Sequence, residues 1–85
     1  MTNELLRNAI MRILFRVHPA PLRVRPLVAE CEIALGSVLS KADFDAEVAA
    51  LRRAGLVGEG RDGILGEAML FLTNAGQAEA ARAFG

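Results

Sequence analysis

The chain has 85 residues with ten Lys and Arg against ten Asp and Glu, so it carries no formal net charge, and no overall field draws it to a phosphate backbone or an anionic membrane. Any nucleic-acid binding must come from a local patch. At this length one domain is expected over residues 1–85, burying roughly 60 to 65% of its unfolded surface, and with 53% hydrophobic residues but no Trp or Tyr its core is aliphatic and helix-friendly.

In residues 3–17 the apolar side chains Leu6, Ile10, Ile13 and Val17 keep the spacing of one helix face. Thr2 or Asn3 caps the start, Glu4 complements the helix dipole, and His18-Pro19-Ala20-Pro21 ends the segment because a proline disfavours a helical residue before it. A second stripe, Met11 and Phe15, lies about 140° to 180° from Leu6. Leu22, Arg23 and Val24 read as extended between prolines, and Pro26 suits a first helical position. A second helix is predicted over residues 26–35, with Leu27, Cys31 and either Ala34 or Leu35 inward, stopping at Gly36.

Ser40-Lys41-Ala42-Asp43 matches a capping box and opens a third helix over residues 41–54. Phe44, Val48 and Leu51 form its inward stripe, and Gly55 ends it. Strands are predicted over residues 56–60 and 67–72 around Arg61-Asp62-Gly63, and Thr73 then caps an alanine-rich helix over residues 74–84. Along the second strand Ala68, Leu70 and Leu72 face one side and Met69 and Phe71 the other, so both faces are apolar.

Two motifs bracket the hairpin: Leu-Arg-Arg-Ala-Gly-Leu-Val at residues 51–57 and Leu-Thr-Asn-Ala-Gly at residues 72–76. Together with the element order they make almost the whole chain resemble winged helix domains of the MarR and PadR type. The resemblance implies a mainly α fold with a small β-hairpin, a winged helix-turn-helix. It further implies that the third helix enters the major groove of DNA while the hairpin tip near Arg61 approaches the minor groove or backbone. Taking Phe44 as inward, the outward positions are Ala42, Ala46, Ala49, Ala50 and Arg53, flanked by Asp43 and Asp45. Alanine touches a thymine methyl but exchanges no hydrogen bond with a base edge, and the aspartates repel phosphates. The nucleic-acid-binding candidates are therefore the cations Arg23, Arg25, Lys41, Arg52, Arg53 and Arg61; if Arg52, Arg53 and Arg61 converge, they would grip a few phosphates weakly and with strong salt dependence.

Other features compete. Gly58-Glu59-Gly60-Arg61-Asp62-Gly63 spells a dinucleotide-loop pattern, but a strand-like run follows it where that loop needs a helix. His18 lacks a nucleophile and carboxylate around it. Cys31 sits between Glu30 and Glu32, a setting that disfavours a reactive thiolate. One cysteine and one histidine make neither a disulfide nor a metal site, so no enzyme, cofactor, metal or small-molecule ligand is expected. Arg7, Arg12 and Arg16 interrupt any signal-peptide core, no apolar run reaches the roughly 18 residues of a membrane span, and a cytoplasmic location without an effector-sensing domain is expected. Met11, Phe15, Met69 and Phe71 form a candidate interface with a second copy or another protein, unless the last helix covers them. Ala42, Ala46 and Ala49 would admit a close helix. Two functions follow: weak, low-specificity binding of double-stranded DNA as a transcription-regulator-like homodimer, or a protein-interaction module on the same scaffold.

Overall fold

Side-chain caps start three of the four helices. A computed structural model describes residues 3–85, and in it the Asn3 side chain accepts from the Leu6 amide to open α1, Glu4–Val17. The Thr2 alternative lies outside the described residues. Ser40 accepts from the Asp43 amide at the head of α3, Lys41–Arg53, and Thr73 accepts from the Gly76 amide at the head of α4, Asn74–Phe84. Each such cap satisfies an amide that has no partner within the helix.

The second helix, α2, runs Val24–Leu35 without a side-chain cap and begins two residues before the expected Pro26. That proline occupies the third helical position, where the missing N–H is again one the helix leaves unpaired. Gly36 closes α2 at φ 69°. At the end of α3, Gly55 takes φ 75°, the Gly55 amide donates to the Arg52 carbonyl and the Leu56 amide to that of Leu51. This pair of bonds is a Schellman motif, which needs a residue able to adopt the left-handed region.

Because the Leu56 amide is committed to that cap, β2 starts one residue later than expected, at Val57–Arg61. Its partner β3 is Ala68–Leu72, with Val57 opposite Leu72 and Arg61 opposite Ala68. The expected hairpin gains a third strand: β1, Leu22–Arg23, pairs antiparallel with β3, Leu22 opposite Leu70 and Arg23 opposite Met69. The sheet order is β1-β3-β2.

Helix α1 touches α2, α3, α4 and β3. Its Leu6, Ile10, Ile13 and Leu14 meet Leu27 and Cys31 of α2, Phe44, Val48 and Leu51 of α3, Leu70 and Leu72 of the sheet and Ala80 of α4 in one core cluster. Burying each large aliphatic chain stabilises the fold by roughly 1.5–3 kcal/mol before entropy is counted. Encirclement of α1 also corrects the reading of Met11 as an interface residue, because it is only 5% exposed and belongs to the core.

One buried carboxylate has no precedent in the apolar pattern. Glu47, 6% exposed on the inner side of α3, accepts from the Asn3 amide at 2.9 Å and from Arg7 Nε at 3.4 Å. Both oxygens thus find donors at the start of α1, which offsets the cost of taking a charge out of water.

Candidate nucleic-acid interface

The two sequence motifs hold each other. The Thr73 hydroxyl donates to the Gly55 carbonyl at 2.6 Å, and the Thr73 amide donates to the Leu56 carbonyl at 3.1 Å. A Cβ on Gly76 would collide with that same Leu56 carbonyl, so glycine here lets the head of α4 close on the exit of α3. The aim of α3 relative to the hairpin is set by this junction.

Within the hairpin, Gly58 lies opposite Phe71, and a Cβ on Gly58 would strike the Phe71 ring. The ring therefore lies over bare β2 backbone, an aromatic residue covering a glycine across the strands. Phe71 remains 37% exposed, and its neighbour Met69 is half-buried.

Asp62 organises the loop between β2 and β3. Its Oδ1 accepts from the Ile64 and Leu65 amides at 2.7 and 3.0 Å, and its Oδ2 accepts from Arg23 Nη2 at 2.5 Å. The Asp62 amide and carbonyl close the loop against the Glu67 carbonyl and the Gly66 amide. The Arg23 hydrogen bond, followed by the two loop amides, holds the Asp62 carboxyl well down, at about 2, and the same partnership raises the Arg23 guanidinium further above its usual range. Favouring the charged form in this way is what opposite charge and donated hydrogen bonds do.

Three of the six candidate cations already face carboxylates. Arg23 bridges Asp62 and, at 3.5 Å, Glu67; Lys41 pairs with Asp45 at 2.6 Å; Arg52 meets Glu59 at 3.4 Å. Arg61 donates to the Gly66 carbonyl at 2.9 Å. Among the described residues Arg25, Arg53 and Arg61 make no ion pair. Arg25 and Arg61 line one groove of about 270 Å³ with Val24, Gly66, Glu67 and Ala68, whereas Arg52 and Arg53 line another of about 340 Å³ with Ala49. Five of the six thus fall into two groups, Arg23, Arg25 and Arg61 beside the hairpin loop and Arg52 and Arg53 at the end of α3, while Lys41 stands at the head of α3.

Solved structures share this architecture. A MarR-family transcriptional regulator from Silicibacter pomeroyi aligns with a TM-score of 0.73 at 19% identity, over 92% of this chain and 47% of its own. The chain thus spans about half of that regulator's length. A PadR-like transcription factor from Bacteroides fragilis aligns with a TM-score of 0.74 at 14% identity, over 94% of this chain and 77% of its own. The circadian clock associated protein Pex from Anabaena aligns at 0.67 and 16% identity, over 91% of this chain and 71% of its own. This chain has the winged helix-turn-helix fold. Its fold resembles that of MarR- and PadR-type regulators, with β2 and β3 as the wing and α2 and α3 as the helix-turn-helix pair. No family model matches the sequence, and no curated protein does.

On the winged helix, α3 presents Ala42, Asp43, Asp45 and Ala46 to solvent, with Ala49 and Ala50 half-buried and Phe44, Val48 and Leu51 inside. Phe15 is half-buried and lines a groove of about 500 Å³ with Arg12, Arg16, Ala83 and Phe84, where the Arg12 guanidinium sits 5.1 Å from the Phe84 ring centre. Neither Met69 nor Phe71 lines that groove. The glycine pattern of residues 58–63 occupies β2 and the wing loop, with β3 after it. His18 follows α1, its amide donating to the Leu14 carbonyl. Burial, then Glu30 and Glu32, pushes the Cys31 thiol up to about 11, the direction that suppresses thiolate. Among the described residues no group of three metal-ligating side chains occurs, and no helix is long and apolar enough to cross a membrane.

Proposed function

We propose that this winged helix binds double-stranded DNA weakly and with little sequence discrimination, as an accessory of transcription, and that the wing leads the contact. The observation carrying this reading is the shared groove of Arg25 and Arg61 beside the wing loop, two guanidiniums that make no ion pair among the described residues. Arg53 adds a third such cation on α3. The exposed methyls of Ala42 and Ala46 leave the major-groove side without a hydrogen-bonding reader, so affinity rests on phosphates and discrimination is small.

Fluorescence anisotropy with a labelled 25-base-pair duplex tests this. Three phosphate contacts predict a slope of log affinity against log salt of about −2.7, similar affinities for duplexes of like flexibility whatever their base sequence, and a shallower slope for the Arg25→Ala/Arg61→Ala variant. Absence of binding to any duplex at low salt overturns the reading. In the same reading the protein works in the reducing cytoplasm as a homodimer, with the Phe15 and Phe84 groove at the contact between copies. Light scattering after size exclusion checks the dimer, and a single-chain mass at high concentration excludes it.

A further inference from the structure

Ile64 and Leu65, 92% and 65% exposed, stand side by side at the end of the wing. Exposed aliphatic residues are common on surfaces, but these two are displayed on a pinned turn. The Asp62 carboxylate holds both of their amides, Arg23 holds the carboxylate from β1, and Arg61 fastens the Gly66 carbonyl just behind. Pre-ordering of this kind removes much of the entropy that a loose loop would lose on binding. Immediately behind the tip lies the groove of Arg25 and Arg61, whose lining includes Gly66 and Glu67. The wing therefore ends in an apolar point beside two arginines that make no ion pair among the described residues.

We propose that the wing tip is a wedge for the minor groove of duplex DNA, with Ile64 and Leu65 entering a base step while Arg25 and Arg61 hold the phosphates beside it. This rests on the DNA-binding reading and adds how the wing engages its target. Aliphatic side chains inserted from the minor groove partly unstack a step and bend the duplex by roughly 20–90° toward the major groove. Pyrimidine–purine steps such as TA unstack most readily, and A-tracts resist. Charge complementarity selects DNA over a neutral apolar partner, since the groove behind the point sets Arg25 and Arg61 against one carboxylate, Glu67, which Arg23 already meets at 3.5 Å. The wedge also supplies a preference that α3, with its alanine face, does not. Discrimination would follow the stiffness of the duplex instead of its base edges.

End-labelled 30-base-pair duplexes, one with a central TA step and one with a central A-tract, report bending by energy transfer between their dyes. The full chain is expected to bind both, to shorten the end-to-end distance of the TA duplex, and to prefer it over the A-tract. The Ile64→Ser/Leu65→Ser variant, whose exposed positions leave the core intact, is expected to lose the bend and about tenfold in affinity for the TA duplex while retaining A-tract binding. Binding by the wild-type chain without any change in energy transfer overturns the wedge and leaves the DNA reading standing. Failure to bind either duplex at low salt overturns both. Co-sedimentation with phosphatidylglycerol vesicles that the serine variant abolishes, with no bend in either duplex, would assign the tip to a lipid surface and overturn the proposal.

Discussion

Gly76 carries more of the architecture than its size suggests, because a single methyl there meets the Leu56 carbonyl at the exit of α3. Backbone cannot rotate away as a flexible side chain can, so Gly76→Ala must separate α4 from the β2 entrance. We expect a loss of about 2 kcal/mol or more, read as a fall in Tm of roughly 10 °C; a variant melting within a degree of wild type would contradict the close approach. Cys31 tests the core from inside. With the thiol held at about 11 against its ordinary value near 9, labelling by a disulfide reagent at pH 8 should proceed only as fast as the protein opens and should accelerate in urea. The folded value lies above the unfolded one, so the neutral thiol's contribution is complete below pH 9 and is lost as the pH rises toward 11.

Among the elements, the wing has its own acid sensitivity. Asp62 titrates lower in the folded wing, about 2, than its ordinary 3.8, so its contribution is present above pH 4 and lost as the pH falls toward 2. Asp62→Asn should reproduce that loss at neutral pH, lowering the NMR order parameters of the Ile64 and Leu65 amides while those of α1 stay unchanged. Unaltered order at the tip would show that the loop does not depend on this carboxylate. The helices were legible in the sequence because a cap residue and a 3.6-residue period agree at Asn3, Ser40 and Thr73. Strand β1 has only two residues, too few to show any period, and Pro26 suggested a start that the helix overruns by two positions. Of the ion pairs, Lys41 with Asp45 is four residues apart and readable on a helix face, whereas Arg23 and Asp62 are 39 residues apart and meet only because β1 joins the sheet. Glu47 was missed because charge is ordinarily assigned outward, and only α1's donors make its inward position tolerable.

For the whole molecule, the absence of net charge and the pairing of Arg23, Lys41 and Arg52 with carboxylates leave a small set of available cations, which is why the expected salt slope is shallow. Opposite faces of α1 explain why Met11 was misplaced, since a stripe pointing away from Leu6 is a surface only when nothing packs there, and here α1 is surrounded. The junction at Thr73 has a practical consequence for anyone dissecting the protein. A truncated version ending before Thr73, made to isolate the first three helices and the hairpin, would release the Gly55 and Leu56 carbonyls from their donors. The final eleven-residue helix is a brace, and a cargo fused to it would be mechanically coupled to the wing.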